Sequence, residues 1–152
     1  MDNTQLQLSN QICFPIYSVS RLITKAYKPY LNEMGLTYPQ YLVLMVLWEN
    51  DSISINQISE KLLLNTNTLS PLLKRMEKMK LLQRNRSSKD ERNVIVELIE
   101  KGTNLKTQAT PIPEKLIKIL LTENIKLAEV LQLKDMLNEW ISILSENNNN
   151  SD

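Results

Sequence analysis

The sequence predicts a mainly α-helical protein with one small β-hairpin, built as a helix-turn-helix between longer flanking helices. Apolar residues recur three or four positions apart along most of the 152-residue chain, which is the spacing of amphipathic helices. The period changes to two in segments 82–86 and 94–98, as expected for two short strands. The length suits a single domain that buries its own core.

Composition excludes several classes of function. The chain has no histidine, so neither a Ser-His-Asp triad nor a Cys-His pair can form, and the commonest zinc ligand is missing. Its two glycines, Gly35 and Gly102, are too far apart for a phosphate-binding loop. A single cysteine cannot form an internal disulfide, which is typical of a reducing compartment. We therefore expect a protein that is not an enzyme and has no cofactor and no metal site.

No segment indicates a membrane span or a secretory signal. The longest apolar run covers 41–48, far short of the length needed to cross a bilayer. Residues 1–12 carry no lysine or arginine and no long apolar stretch. We expect a cytoplasmic protein without membrane contact.

Positive charge is concentrated between Lys74 and Arg92. This window holds eight basic and three acidic residues, a net charge of +5, whereas the whole chain has a formal net charge of +1. A basic block in an otherwise slightly acidic chain indicates a polyanion site. On charge alone, a solvated charged face explains the block equally well.

The first two helices are predicted from spacing and capping signals. Apolar residues at helical intervals predict a first helix from about Ile12, with Gly35 as its stop. Thr37 followed by Gln40 has the capping-box pattern and opens a second helix that runs to about Glu49. The second helix is apolar on nearly every side, so we expect it at the centre of the core.

Two shorter helices follow, and together they predict a helix-turn-helix. Ser54 and Gln57 form another capping-box pattern, and a further helix runs from near Thr66 to about Met79. One face of this further helix is apolar, and its opposite face is short and polar at first and cationic further on. The apolar face comprises Leu69, Leu72, Leu73, Met76 and Met79.

A hairpin directly after the helix-turn-helix makes the order of a winged helix, over about 37–100. Strands 82–86 and 94–98 are joined by the charged loop 87–93. The basic block therefore falls on the second helix and on the hairpin tip, where nucleic acid would be met. Its position turns an ambiguous charge run into a prediction of DNA binding.

The C-terminal third predicts further helices, interrupted at Pro111 and Pro113. A final helix from about Asn124 to Ser145 carries a heptad seam of Val130, Leu133, Leu137, Trp140 and Leu144. A small winged helix does not need these surfaces to fold, so segments of about 8–34 and 102–146 are predicted as dimerisation helices. Packing within one chain remains the alternative. Residues 1–146 are predicted as a single domain and 147–152 as a disordered polar tail.

Three stretches resemble the MarR family of bacterial transcriptional regulators, and within it the single-cysteine OhrR branch with its SarZ- and MgrA-like members. The resemblance extends over about 11–144. The stretches are Gln11-Ile-Cys13-Phe, Leu36-Thr-Tyr38-Pro-Gln-Tyr41-Leu-Val-Leu, and Thr68-Leu-Ser-Pro71-Leu-Leu-Lys74-Arg75-Met-Glu leading to Asp90-Glu91-Arg92 and Leu98-Ile-Glu-Lys-Gly102.

The resemblance implies a dimeric repressor that leaves a pseudo-palindromic operator on double-stranded DNA after a peroxide oxidises Cys13. In this branch the cysteine is held by two tyrosine hydroxyls of the partner subunit, which match Tyr27 and Tyr38. Tyr17 occupies the place of a further nearby tyrosine. The family commonly has Asp-Ser-Gly where this chain has residues 65–67, Asn-Thr-Asn, so the operator preference does not carry over.

Chemistry limits what an oxidised Cys13 can become. A thiolate is the reactive form, and peroxide converts it to a sulfenic acid. Because the chain has no second cysteine, the expected products are a disulfide with the partner's Cys13, a mixed disulfide with a low-molecular-weight thiol, or an over-oxidised acid. Without the resemblance, inert core packing is the commoner role of a lone cysteine on an apolar helix face.

The predicted DNA contacts divide between the recognition helix and the wing. The helix is expected to enter the major groove with its N-terminal end, while its lysines reach phosphates. The wing contact is implied by the resemblance, with Arg92 in the minor groove and Asp90 orienting it. The predicted set is Asn67, Thr68, Ser70, Pro71, Lys74, Arg75 and Lys78 on the helix, with Arg86, Lys89, Asp90 and Arg92 on the wing.

Three alternatives remain at this point. A MarR-type regulator released by a small aromatic ligand could use Tyr17, Tyr27, Tyr38 and Tyr41 to line a pocket at the dimer junction. A cysteine peroxidase would need a resolving partner or a base, and no histidine supplies one. A pure protein-interaction module would form no sequence-specific DNA complex.

Overall fold

The computed structural model describes residues 3–86 and 93–149 and confirms a mainly α-helical fold with a small wing. Two short 3-10 turns, Asn3–Leu6 and Leu8–Asn10, precede the first helix. The elements that follow are α1 (Cys13–Glu33), α2 (Tyr38–Glu49), β1 (Ile53–Ser54), α3 (Ile55–Leu62), α4 (Thr66–Lys78), β2 (Leu82–Arg86), β3 (Val94–Leu98), α5 (Glu100–Ala109), α6 (Ile112–Leu120) and α7 (Leu127–Asn149).

The chain divides into two compact units, Met1–Ile112 and Pro113–Asp152. The single domain predicted over 1–146 stays a prediction. The boundary coincides with the predicted proline interruption: α5 ends at Ala109 and α6 begins at Ile112. A proline has no backbone N–H and cannot continue the hydrogen-bond ladder of a helix, so the chain breaks its helix there. No helix of the described ranges is long and apolar enough to span a membrane.

Helix α2 is central to the core of the first unit, as predicted. The capping box forms: the Thr37 backbone N–H donates to Gln40 Oε1 at 2.8 Å. Residues on nearly every side of the helix are buried because neighbouring elements pack around it. Its buried apolar residues are Tyr41, Val43, Leu44, Val46 and Leu47.

Helices α3 and α4 form the predicted helix-turn-helix. Ser54 Oγ accepts from the Gln57 backbone N–H at 3.2 Å, and Asn65 Oδ1 accepts from the Thr68 N–H at 2.9 Å, so each helix has a capped start. Leu63 takes a left-handed conformation, with φ 53°, and turns the chain between the helices. The buried side of α4 is Leu69, Leu72, Leu73 and Met76.

The wing strands confirm the predicted hairpin and include a third strand that the sequence analysis missed. Strands β2 and β3 pair antiparallel from Leu82↔Leu98 to Arg86↔Val94. Strand β1 pairs with the other side of β3, giving the order β1-β3-β2. A two-residue strand is too short to create an alternating pattern, so periodicity cannot predict it.

The last helix differs from its predicted bounds. It begins at Leu127 rather than near Asn124, and it continues to Asn149, so residues 147–149 are helical instead of part of the predicted disordered tail. Extending a formed helix adds one hydrogen bond per residue without a new nucleation cost, so polar asparagines can prolong it. Residues 150–152 of the predicted tail lie outside the described ranges.

Candidate DNA interface and cysteine site

The outward face of α4 carries the predicted recognition residues. Its opposite face is buried in the first unit, which leaves this face to solvent. Ser70 is half-buried and the other predicted residues are exposed. The exposed set is Asn67, Thr68, Pro71, Lys74, Arg75 and Lys78. The arrangement matches the prediction of a polar N-terminal end followed by cations.

The wing is described in its strands. Arg86 is exposed at the end of β2, on the edge strand of the sheet. The predicted wing residues Lys89, Asp90 and Arg92 lie outside the described residues. Within the described part of the wing, Arg86 is therefore the predicted DNA contact that the structure places.

Arg84, counted in the basic block, is engaged by Glu77. Arg84 donates to Glu77 Oε2 through Nη2 at 2.6 Å and Nε at 3.1 Å, and its backbone N–H donates to Oε1 at 3.0 Å. The hydrogen bond from Arg84 lowers the pKa of Glu77, and the charge of Arg84 lowers it further. Because the two charges neutralise each other, neither Arg84 nor Glu77 adds to the net charge of the predicted polyanion-binding surface. The charge count along the sequence does not identify this pair, although alternation along β2 places Arg84 on the same side as the buried Leu82.

Cys13 is the first residue of α1 and is exposed. Exposure contradicts the alternative of inert core packing within one chain. Neighbouring apolar side chains are also open to solvent: Ile12 is 62% exposed and Phe14 is 43% exposed. The thiol thus lies in an apolar surface that one chain leaves uncovered.

Three tyrosines form a cluster where α1 meets α2. The ring centroids of Tyr27 and Tyr38 are 5.0 Å apart, and those of Tyr27 and Tyr41 are 5.7 Å apart. Burial raises the pKa of all three phenols, and that of Tyr41 reaches about 12. The phenols therefore stay protonated at neutral pH. Tyr41 is buried, whereas Tyr27 and Tyr38 are half-buried, and their hydroxyl groups can donate hydrogen bonds.

Cys13 and the tyrosine cluster are separated within one chain. Cys13 begins α1, and Tyr27 lies about four turns further along the same helix, an axial distance of about 21 Å. A thiol cannot bridge that distance to a phenol of its own helix. Tyr17 is exposed one turn after Cys13, and Arg21 covers it with its guanidinium carbon 5.4 Å from the ring centroid.

A surface groove adjoins the tyrosine cluster. Its volume is about 490 Å³, and Tyr38 contributes to its wall. Tyr17, Tyr27 and Tyr41 do not line it, in contrast to the aromatic pocket considered from the sequence. Three cationic side chains also line it: Arg21, Lys25 and Lys28.

Each unit exposes large apolar side chains along its helices. In the first unit they follow the N-terminal half of α1, with Ile12, Phe14, Ile16, Tyr17, Val19 and Leu22. In the second unit they include the heptad residues Leu133, Trp140 and Leu144, of which Leu144 is 62% exposed. Exposed apolar surface of this extent marks an interaction site, which is consistent with the predicted dimerisation segments.

Comparisons with known proteins agree with this architecture. The family described as transcriptional regulator SarA/Rot matches residues 25–109. The organic hydroperoxide resistance transcriptional regulator of Bacillus subtilis is 40% identical over 143 residues, covering 94% of this chain and 95% of that protein. The HTH-type transcriptional regulator SarZ of Staphylococcus aureus is 37% identical over 145 residues, covering 95% and 94%.

A solved relative gives the same fold. Reduced AbfR bound to DNA, a protein of Staphylococcus epidermidis, superposes with a TM-score of 0.78 at 34% identity and covers 96% of this chain and 98% of its own. AbfR has also been solved in an overoxidized form bound to DNA and in a disulfide form. These similarities confirm the winged-helix fold and the resemblance drawn from the three sequence stretches.

Proposed function

We propose that this chain, which belongs to the SarA/Rot family of transcriptional regulators, is a homodimeric DNA-binding repressor that peroxide releases from DNA. Within the MarR group it is a single-cysteine, OhrR-like member. Its ligand is a pseudo-palindromic operator on double-stranded DNA, read by two copies of α4. It acts in the cytoplasm as a sensor that reacts once, rather than as an enzyme with turnover.

DNA binding is supported by the exposed face of α4. Its polar N-terminal residues Asn67, Thr68 and Ser70 suit base edges, and the cations Lys74, Arg75 and Lys78 suit phosphates. Arg86 extends the positive surface onto the wing. In the same proposal Lys89, Asp90 and Arg92 belong to the wing contact, with Arg92 in the minor groove.

The proposed role of Cys13 as a sensor across a dimer is supported by its separation from the tyrosine cluster within one chain. About 21 Å along one helix forbids contact within a chain, so the tyrosines could hold the thiol only across a dimer. The protonated phenols of Tyr27 and Tyr38 are donors suited to a thiolate of the partner subunit. In the same proposal Tyr17, one helical turn after Cys13 on its own chain, supports the thiol.

Oxidation would then act on the dimer contact. A peroxide takes the thiolate to a sulfenic acid, which condenses with a second thiol to a disulfide and releases water. That second thiol is the partner's Cys13 or a low-molecular-weight thiol. AbfR is known on DNA in both reduced and overoxidized forms, and also as a disulfide form. We therefore assign release in this chain to the disulfide, because it crosslinks or enlarges the residue at the interface.

A gel shift on DNA from the protein's own upstream region tests this proposal. The reduced protein is expected to bind, an organic hydroperoxide with a small thiol to release it, and a reductant to restore binding. The matched control is Cys13→Ser, which keeps nearly the same shape but has no thiol for a peroxide to oxidise. Full release of oxidant-treated Cys13→Ser would overturn the role of Cys13, and absence of any sequence-specific complex would overturn DNA recognition.

A second candidate, release by a small aromatic ligand, draws on the groove beside Tyr38. Arg21, Lys25 and Lys28 in its wall suit an acidic aromatic molecule. Such a ligand would release the operator from Cys13→Ser as well as from the wild type. The same gel shift, repeated with salicylate in place of peroxide, distinguishes the two candidates.

A further inference from the structure

The contact between Glu77 and Arg84 joins the recognition helix to the wing at the point where the chain turns from one to the other. Helix α4 ends at Lys78, and Lys80 adopts a left-handed conformation with φ 58° before β2 begins. Glu77 is on the helix side of this turn and Arg84 on the strand side. The three hydrogen bonds between them therefore close the turn.

One of these hydrogen bonds shows how the wing is held. A backbone amide has a single hydrogen, and that of Arg84 is given to Glu77 Oε1, so it points away from β3. Strand β2 is an edge of the sheet. The carboxylate of Glu77 thus takes the place of a further strand on this edge, and it holds the guanidinium through Oε2.

The opposite face of β2 is fastened differently. Gln83 and Asn85 donate to Glu97 Oε2 at 2.8 and 3.2 Å, and Glu97 belongs to β3. These bonds hold the two wing strands to each other and do not reach α4. Two glutamates therefore have distinct roles. Glu97 joins the two wing strands and also accepts from Ser52 Oγ at 3.2 Å ahead of β1, whereas Glu77 fixes the hairpin against the recognition helix.

We propose that Glu77 is a positioning residue for DNA recognition. Its hydrogen bonds to Arg84 set the angle between α4 and the wing. This inference rests on the proposed function for its meaning on DNA. A dimer that reads the major groove with α4 contacts the outer flanks of the operator through the wing strands. If the angle between α4 and the wing were no longer fixed, the wing contacts with DNA would weaken and the contacts made by α4 would remain. Arg84 acts through the same pair and is not itself a DNA contact.

The test compares two glutamates that differ in what they hold. Glu77→Gln is expected to weaken operator binding by about fivefold and to remove hydroxyl-radical protection at the outer flanks while the central protection remains. Glu97→Gln, which loses the same charge within the hairpin, is expected to keep both affinity and footprint. Arg84→Lys keeps the positive charge without the two-pronged geometry and should resemble Glu77→Gln.

A measurement without DNA keeps this inference separate from the proposed function. Spin labels attached through Lys74→Cys and Arg86→Cys, in a Cys13→Ser background and mixed with excess unlabelled protein so that most dimers contain one labelled chain, report the distance between α4 and the end of β2. Adding Glu77→Gln is expected to broaden the distance distribution, and adding Glu97→Gln is expected to leave it narrow. Distributions that are equally narrow with either change would overturn the positioning role. A broadened distribution for Glu77→Gln would support it even if no variant bound an operator, a result that overturns the proposed function alone.

Discussion

At the scale of single residues, Gly102 shows how one missing side chain permits a close approach. A Cβ at this position would lie 2.0 Å from the carbonyl oxygen of Leu81 and 3.0 Å from a methyl group of Leu98. The start of α5 can therefore pack against the α4–β2 turn only with glycine. Gly102 lies within one of the stretches that resemble the MarR family. The need for glycine there comes from backbone that is distant along the chain, which a local sequence pattern does not reveal.

We expect Gly102→Ala to lower the free energy of unfolding by about 2 kcal/mol or more, because the new methyl group displaces a carbonyl. Gly35→Ala is a matched control with a different cause: its φ of +67° strains alanine, but no atom lies within 4 Å of the added carbon. That change should cost about 1 kcal/mol. Urea denaturation of both variants measures the difference. Equal losses would contradict the close packing at Gly102.

Tyr41 makes a second residue-scale prediction, in alkaline solution. Burial raises its pKa to about 12 from the usual 10.0, so the folded state disfavours the phenolate. The stability that Tyr41 contributes is complete below about pH 10 and is lost as the pH rises toward 12. At about pH 11 the expected loss is about 1 kcal/mol. Tyr41→Phe cannot ionise, so chemical denaturation should reveal a smaller loss between about pH 9 and 11 than in the wild type. Parallel losses would contradict the raised pKa.

At the scale of elements, sequence pattern was sufficient where each element has its own signal. The capping boxes at Thr37 and Ser54 and the alternation in 82–86 and 94–98 are local, so the corresponding helices and strands were predicted closely. Strand β1 and the end of α7 have no local signal. Pairing with β3 defines strand β1, and cooperative extension of a formed helix defines the end of α7.

The start of α4 carries an element-scale prediction. Asn65 Oδ1 accepts the backbone N–H of Thr68 at 2.9 Å and so caps the recognition helix. Asn65→Ala should lower stability by about 1 kcal/mol because it leaves a helix N–H without its partner. Operator affinity should fall in parallel, because the frayed turn carries the predicted base contacts. Thermal melts and gel shifts measure both effects. Asn65→Asp retains an acceptor and is expected to preserve stability, so similar destabilisation of both variants would argue against the cap.

At the scale of the whole molecule, the resemblance to the MarR family predicted more of the candidate site than periodicity and charge did. Periodicity located the outward face of α4, but it could not connect Cys13 with Tyr27 and Tyr38. Those residues are far apart within the chain, and a sensor made from them requires a second copy. The Glu77–Arg84 pair was missed for a related reason: charge counting adds residues and does not reveal which of them neutralise each other.

The proposed dimer can be tested directly at Leu22, which is 63% exposed on α1. In a monomer, replacement of so exposed a side chain changes stability by about 0.5 kcal/mol at most. In a dimer that covers α1, Leu22→Glu would bury an unpaired carboxylate and drive the subunits apart. We therefore expect Leu22→Glu to sediment as a folded monomer with weakened operator binding, since one chain presents a single recognition helix.

Leu63→Glu is the matched control for this dissociation. Leu63 is 62% exposed, but it lies in the turn between α3 and α4, outside the stretches of sequence predicted for dimerisation. The same change of chemistry at the same exposure should leave the sedimentation coefficient of the dimer unchanged. If Leu22→Glu remained dimeric, α1 would not be the covered surface, and the thiol of Cys13 would have no route to the partner's tyrosines. If both variants dissociated, general destabilisation rather than a specific interface would be the cause.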